Sequence, residues 1–229
     1  MEMASVVGSA IDEKRPGTAG RPGTAFDDAP VRDPLPELPA TARRILAAAK
    51  RVLARDGFRS LTLQAIGAEA GENSALTRYY FGSKAGLVAA LVDAIVHQGS
   101  ADLRRRLLAA APGPRRREEL FAIQRGWVCD PQEFRTYYAI LSHVLHQEDL
   151  RSKYRALFEW YCELESWALA DAATPSASLR PLAALIIAAT DGLALQGQAD
   201  PDFDPGPAYD ELASMVTARL AASGQRRPT

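Results

Sequence analysis

Residues 60–87 decide the fold, and they read SLTLQAIGAEAGENSALTRYYFGSKAGL. In the first half of this stretch, Leu63, Ile66 and Ala70 recur at spacings of three and four residues, which is the period of an amphipathic helix. A three-residue turn that contains a glycine separates this helix from a second short helical segment, residues 74–79. Two short helices joined in this way are typical of a helix-turn-helix, whose second helix enters the major groove of DNA.

Helix-capping residues support this interpretation on both sides of the turn. Thr62 and Asn73 are suited to cap the two helices, because their side-chain oxygens can accept hydrogen bonds from the free N–H groups of a first turn. Ser83 stands in the same position before a long segment that we expect to be helical over about 84–110. Upstream, another amphipathic helix ends at Gly57, which suits a left-handed C-terminal cap. The sequence therefore predicts a three-helix head followed by a connecting helix.

The rest of the chain also follows a helical pattern, and no convincing pair of alternating strands occurs. Five further helices are predicted over about 114–129, 131–148, 150–173, 178–198 and 207–222. We therefore predict an all-α fold of nine helices in two domains. The predicted organisation is a disordered N-terminal arm (1–39), a helix-turn-helix DNA-binding domain (40–90), a ligand-binding and dimerisation domain (91–222) and a disordered tail (223–229).

Charge is distributed unevenly along the chain, although the formal net charge is only -1. Residues 40–92 hold eight basic and three acidic residues, whereas acidic residues are in excess in the remainder. A compact positive segment is the electrostatic pattern expected of a module that binds nucleic acid. No segment approaches the length of an uninterrupted apolar membrane span, and the N-terminus lacks the apolar run of a signal peptide. We therefore expect a cytoplasmic protein without a membrane partner.

The sequence between residues 60 and 91 resembles the helix-turn-helix of the TetR family of transcriptional regulators. The family pattern has Thr, a helix with a central Ile, Ala-Gly, a capped recognition helix, an aromatic pair followed by Phe, and then Ser-Lys and Leu. The matching residues are Thr62, Ile66, Ala70, Gly71, Tyr79, Tyr80, Phe81, Ser83, Lys84 and Leu87. Where the family usually has Val, this chain has Glu72, which would repel phosphates if it faced DNA.

This resemblance implies a homodimeric repressor that binds a double-stranded DNA operator and is released from it by a small-molecule effector. Phosphate contacts position such a protein, and contacts with base edges specify its site. The residues expected at phosphates are Thr62, Tyr79, Tyr80 and Lys84. Those expected nearest the base edges are Gln64, Ser74, Ala75 and Arg78.

The C-terminal half resembles the family's ligand-binding and dimerisation domain more loosely. Residues 185–196, LIIAATDGLALQ, are similar to the penultimate helix of the betaine-repressor branch, in which the last two helices form a four-helix bundle with their symmetry mates. Asp191 in this apolar segment is either a ligand anchor or a hydrogen-bonding residue of the dimer interface, because a buried carboxylate needs partners. From the helices that surround the effector in the family, we expect effector contacts from Trp127, Tyr138, His143 and Trp160.

Other classes of protein were weighed against a regulator. His143 and His146 are spaced so that both could bind a metal, but no third ligand occurs at a definite position, so we predict neither a metal nor a cofactor. An all-helical enzyme would need a nucleophile with a base, paired carboxylates or a metal set, and no such motif occurs. A helical interaction protein whose head does not bind DNA stays open, because Glu72 and Thr77 depart from the family pattern.

Overall fold

The structure, a computed structural model, describes residues 38–130, 132, 134–171 and 176–224. Within these ranges it has nine α-helices and no strand, which confirms the predicted all-α fold. Residues 1–37 of the predicted arm and 225–229 of the predicted tail lie outside the described residues. The helices are α1 (Ala40–Asp56), α2 (Leu63–Ala70), α3 (Ser74–Phe81), α4 (Lys84–Ala109), α5 (Pro114–Cys129), α6 (Arg135–Leu145), α7 (Glu148–Leu169), α8 (Arg180–Ala199) and α9 (Gly206–Gly224). Short 3₁₀ turns occur at Phe58–Ser60 and Ser176–Leu179.

The largest differences from the predicted boundaries are four residues each: α7 ends at Leu169 and not at residue 173, and the start of α6 also differs. The sequence predicted a helix from residue 131, but α6 begins at Arg135. The backbone N–H of Gln132 donates to Oδ1 of Asp130 at 2.8 Å, so an Asx turn holds the chain away from the helical path. The recognition helix α3 runs to Phe81, two residues beyond the predicted end.

One apolar core joins the head to two helices of the body. Its head part is built on the apolar stripe of α1 against Ile66 of α2 and Leu87 of α4. It continues into α6 through the fully buried Ile140 and Val144, and into α7 through Tyr154. Burying an aliphatic side chain of this size contributes about 1.5–3 kcal/mol. The head is therefore fastened to α6 and α7 as well as to the connecting helix α4.

A second core holds the body together around Leu120 of α5, Leu164 of α7, Ile186 of α8 and Tyr209 of α9. Among the described residues, the helix over Ser176–Ala199 is long and apolar enough to cross a membrane, with a mean hydropathy of 1.4, but 39% of it is buried in the protein. The bent pair of α3 and α4 passes the same test only when both helices are taken together across a 70° bend. The inner helix of an ordinary globular bundle has the same composition, so this pattern is weak evidence for a membrane span.

Candidate DNA-binding face and body cavity

The two helices of the helix-turn-helix begin at the caps that the sequence predicts. Oγ1 of Thr62 accepts a hydrogen bond from the N–H of Ala65 at 3.1 Å, and Oδ1 of Asn73 accepts one from the N–H of Leu76 at 2.8 Å. Between them, Gly71 has a φ of 70° and ends α2 in the left-handed region, where a Cβ would be strained. These caps fix the first turn of the recognition helix α3.

The turn passes so close to α2 that a glycine is required at residue 67. The N–H of Glu72 donates to the carbonyl oxygen of Gly67 at 2.8 Å. A Cβ on Gly67 would lie 2.8 Å from the backbone oxygen of Glu72, which is closer than carbon and oxygen can approach without a shift of the backbone. The crossing of α2 and α3 therefore depends on a close backbone contact that no side chain could occupy.

Most of the residues expected at DNA are exposed, and we call the whole set the DNA face. The described exposed members are Thr62, Gln64, Ser74, Ala75, Arg78, Tyr79 and Lys84. Tyr80 is half-buried, and its ring contacts that of Tyr79 edge to face at 5.1 Å. The exposed fraction of Tyr79 is 77%, which is high for a large aromatic side chain. The opposite side of α3 packs inward through the fully buried Thr77.

The acidic side chains of the head are neutralised by arginines and do not weaken the DNA face. Glu72, which departs from the family pattern, accepts a hydrogen bond from Nη2 of Arg44 at 2.5 Å. Glu69 accepts from Arg51 and Arg55, and these hydrogen bonds lower the pKa of its carboxyl group. The expected repulsion of phosphate by Glu72 is therefore offset by a cation of α1.

Lys84 and His143 meet across the junction between head and body. Nζ of Lys84 lies 4.9 Å from the ring centroid of Phe58, and the other partner of that ring is the imidazole of His143, stacked at 4.0 Å. Partial burial and the nearby ammonium of Lys84 lower the pKa of His143, so that the imidazole is neutral at pH 7. This cluster ties α6 to the start of α4.

A cavity of about 410 Å³ lies in the body, within the size range of a small-molecule site. Its wall is formed by residues of α1, α4, α5, α6, α7 and α8. About half of the wall residues are aromatic or aliphatic, and the others are polar or charged. The aromatic part consists of Trp127, Phe134, Tyr137, Phe158 and Tyr161.

Two carboxyl groups, those of Glu165 and Asp191, lie on the cavity wall. Glu165 is 1% exposed, and its Oε1 accepts a hydrogen bond from Nε2 of Gln124 at 2.7 Å. The amide oxygen of Gln124 in turn accepts from the hydroxyl of Tyr209 at 2.6 Å. Burial raises the pKa of Glu165 well above its usual range, and the nearby Asp191 raises it further. Burial raises the pKa of Asp191 to about 6.

The four residues expected at the effector lie in different places. Trp127 is on the cavity wall. Tyr138 lies beside it, because its hydroxyl donates to the backbone oxygen of Asp191 at 2.6 Å. Trp160 is buried in the body core and its ring meets that of Tyr161 edge to face. His143 lies against the head and not at the cavity.

Several cavity residues were missed by reasoning from the sequence. Glu165 and Gln124 were not singled out, although the spacing of residues 158, 161 and 165 places a carboxylate on the aromatic side of one helix. That spacing is a signal that could have been used. Asp191 was weighed from sequence as a ligand anchor or an interface residue, and it lies on the cavity wall.

The described residues contain no group of three or more His, Cys, Asp or Glu side chains placed to hold a metal ion. Nδ1 of His146 is hydrogen-bonded to the backbone oxygen of Ser142 at 2.7 Å, and Nε2 of His143 is bonded to the side chain of Gln147 at 2.7 Å. One ring nitrogen of each histidine is thus already hydrogen-bonded to a residue four positions away along the chain.

Comparison with known proteins gives a family for the head. Residues 45–91 match the family model of bacterial regulatory proteins of the tetR family. A search of curated proteins gave no match to the chain.

Solved structures share the fold beyond the head. A transcriptional regulator from Rhodococcus sp. Rha1 has a TM-score of 0.66 and 20% identity, over 82% of this chain and 99% of that one. A TetR-family member from Streptomyces coelicolor has a TM-score of 0.62 and 22% identity, over 80% and 98% of the two chains. A Saccharomonospora viridis protein in complex with choline has a TM-score of 0.61 and 20% identity, over 79% and 95%.

These likenesses, at such low identity, establish the fold, and the family model carries the assignment of the head. They do not single out the betaine-repressor branch that residues 185–196 resemble. The family model that matches the head describes bacterial regulatory proteins. Residues 45–91 of the head therefore match the tetR family model, and the chain as a whole shares the fold of these solved regulators.

Proposed function

We propose that the protein is a homodimeric repressor that a small-molecule effector releases from its DNA operator. The observation that carries this proposal is the course of α6, which contributes to both sites. At its N-terminal end Tyr137 forms part of the cavity wall, and further along Ile140 and Val144 are buried in the core of the head. His143 of the same helix stacks on Phe58 of the head. A ligand that shifts α6 would therefore shift the head.

The DNA face supports the first half of the proposal. In it, Thr62, Tyr79, Tyr80 and Lys84 hold phosphates, and Gln64, Ser74, Ala75 and Arg78 lie nearest the base edges. Arg78 is exposed and has no carboxylate partner among the described residues, so its guanidinium is available to pair with a phosphate or with guanine O6 and N7. The two recognition helices of the dimer would occupy major-groove faces about one helical turn or more apart.

Exposed apolar side chains on α8 and α9 support a dimer. Leu185 and Leu195 are 61% and 52% exposed, and Met215 of α9 is 56% exposed. Gly192 lies between the two leucines, and nothing lies within 4 Å of the position of its absent Cβ. Small and apolar residues on neighbouring helices suit a four-helix bundle with the same surface of a second copy. This surface also explains the high hydropathy of α8 without a membrane.

Similar structures support a small molecule as the signal. One of them is in complex with choline, and another, a multidrug binding protein with a TM-score of 0.58, is in complex with imidazole. For the present chain, the effector would occupy the 410 Å³ cavity and prefer the conformation with low DNA affinity. Couplings of this kind are typically about 1–3 kcal/mol, which corresponds to roughly a 5- to 150-fold change in affinity. Such a regulator acts where the DNA is, in the cytoplasm.

The decisive experiment is a fluorescence anisotropy titration of the full-length protein with DNA from the upstream region of its own gene. We expect site-selective binding whose logarithm falls linearly with the logarithm of salt concentration, since phosphate contacts release counterions. Equal affinity for scrambled DNA of the same length would contradict the proposal. It would favour instead the helical interaction protein that the sequence leaves open.

A further inference from the structure

One oxygen of a fully buried carboxyl group in the cavity has no partner. Oε2 of Glu165 makes no hydrogen bond, although the side chain is only 1% exposed. The neighbouring amide of Gln124 does not satisfy it: its Nε2 donates to Oε1 of Glu165 and not to Oε2, and its oxygen accepts from Tyr209. An unsatisfied buried polar atom destabilises a protein by about 1–3 kcal/mol, so its persistence calls for a reason outside folding.

A second carboxyl group lines the same cavity, and no described cation compensates for either of them. Asp191 comes from α8, whereas Glu165 comes from α7. Burial raises the pKa of Asp191, and no described positive charge lowers it. For Glu165, the only neighbouring charge that shifts its pKa is that of Asp191, which raises it further. The cavity therefore holds two carboxyl groups whose ionised forms no described cation stabilises.

The other charged groups on the wall do not alter this balance. Lys50 of α1 already takes part in another interaction, and Asp102 of α4 forms a salt bridge with Arg105. The nearby phenols of Tyr137 and Tyr154 have pKa values raised by burial, so they stay neutral. An anionic ligand would meet two carboxyl groups whose pKa values no described cation lowers, which disfavours it.

The remaining wall suits the apolar part of a cation. Trp127, Phe134, Tyr137, Phe158 and Tyr161 contribute aromatic rings to one cavity. Aromatic faces attract cations by about 0.5–2 kcal/mol, most strongly where water is excluded. Two carboxyl groups and five aromatic rings on the wall of one cavity form a complementary site for a positive centre attached to an apolar body.

We propose that the effector of this protein is an organic cation, whose positive centre is held by Glu165 and Asp191 and whose apolar part lies against the aromatic wall. This inference rests on the proposed function, since it names the chemical class of the effector. Binding of the cation favours the ionised carboxylates, and the protons that they lose go to the solvent. Its affinity therefore increases as the pH rises through about 6, where Asp191 titrates.

The test is a matched pair of probes of the same shape. Isothermal titration calorimetry on the full-length protein at pH 7.5 would compare 3-(trimethylammonio)phenol with 3-tert-butylphenol, which replaces the positive nitrogen by carbon. We expect the cation to bind at least about tenfold more tightly, which corresponds to roughly 1.4 kcal/mol. Equal affinity, or tighter binding of the neutral probe, would overturn the inference. This comparison needs no variant, so it holds even if a substitution unfolds the protein.

Variants then locate the charge. Glu165→Gln and Asp191→Asn should each reduce the preference for the cation, whereas Asp102→Asn, which removes a carboxylate of the same wall that Arg105 already neutralises, should leave it unchanged. A preference that survives both Glu165→Gln and Asp191→Asn would contradict the assignment. Circular dichroism melts of each variant show whether it folds.

The same probes separate this inference from the proposed function. If the neutral probe releases operator DNA and the cation does not, the proposed effector-released repressor stands and the cationic effector is contradicted. If the cation binds selectively but DNA affinity does not change, the cation site stands and the proposed release mechanism is contradicted. The anisotropy assay with added probe distinguishes these outcomes.

Discussion

The head and the cavity treat carboxylates in opposite ways. In the head, Glu69 and Glu72 lie at the surface of the three-helix unit, and each is paired with an arginine of α1. In the cavity, Glu165 is buried and Asp191 is half-buried, and no described cation lowers the pKa of either group. Exposed pairs contribute little to stability, at most about 1 kcal/mol, but they remove negative charge from a face that is to meet DNA. The buried carboxyl groups of the cavity destabilise the ligand-free protein, and a ligand that pairs with them would remove this destabilisation.

This difference fits the two proposed partners, which are of opposite charge. The outer face leaves Arg78 and Lys84 exposed on a surface whose acidic groups are already neutralised. The inner site leaves negative groups that only a partner can neutralise. Because α6 belongs to both, the occupancy of one site can alter the geometry of the other.

The largest expected effect comes from the close backbone contact of the head. Gly67→Ala would place a Cβ 2.8 Å from the carbonyl oxygen of Glu72, which is backbone and cannot rotate away. We expect the free energy of unfolding to fall by about 1–3 kcal/mol, as for other overpacked sites, and DNA affinity to fall further because α3 is displaced. Urea denaturation and anisotropy measure the two effects separately.

Gly126→Ala is the matched control for this change. Gly126 also lies inside a helix, α5, but nothing lies within 4 Å of the position of its absent Cβ. Alanine should there stabilise the helix by about 0.5–1 kcal/mol. If Gly67→Ala were as well tolerated as Gly126→Ala, the crossing of α2 and α3 would not depend on this contact.

The geometry of the head could be predicted from sequence because its signals are local. Thr62, Asn73 and Ser83 cap the helices that follow them, and Gly57 and Gly71 end those that precede them. The exposed DNA face follows from the same short segments, since a few residues fix the phase of each helix. The start of α6 was misplaced because the competing Asx turn is set by a single side chain.

The cavity could be predicted only in part because its residues come from distant segments. Gln124, Glu165 and Asp191 lie on α5, α7 and α8, and no local pattern shows that these helices turn the three residues towards one space. His143 was expected at the effector because it follows the aromatic run of α6. That helix, however, crosses from the cavity to the head, so residues two turns apart face different surroundings.

The second prediction tests whether the exposed cations of the head specify DNA. Arg78→Ala should weaken binding to the operator by about 1–3 kcal/mol and relax the preference at one base pair, provided that the guanidinium contacts a base edge. Arg115→Ala is the control, because Arg115 is an exposed arginine of α5 that is paired with Glu118. Fluorescence anisotropy with operators that carry single base-pair substitutions measures both the loss of affinity and the change in base preference. An equal loss of affinity for all sequences would indicate that Arg78 contacts a phosphate and not a base edge.

The third prediction tests the unpaired charge of the cavity through stability. The pKa of Asp191 is raised to about 6, above the value of about 3.9 expected in the unfolded chain, so the folded state binds more protons between these values. Stability should therefore fall as the pH rises from about 4 to 6. Asp191→Asn removes this loss, and it should stabilise the ligand-free protein by about 1–2 kcal/mol at pH 7.5 but not at pH 4. Urea denaturation at the two pH values measures the difference. A variant that is less stable at pH 7.5 would show that the carboxylate is satisfied in the folded protein.

The smallest expected effect concerns Lys84, which lies between the two regions. Its ammonium lies over Phe58 and is exposed, so it can reach a phosphate while it contacts the ring that His143 also stacks on. Lys84→Ala should weaken binding to all DNA sequences alike by about 0.5–1 kcal/mol, with a salt dependence about one phosphate contact shallower. Lys84→Arg keeps the charge and should restore the slope. Because the cation–π contact is at the surface, a thermal melt should change only slightly. An unchanged salt slope in Lys84→Ala would mean that this lysine serves the junction with α6 and not the DNA.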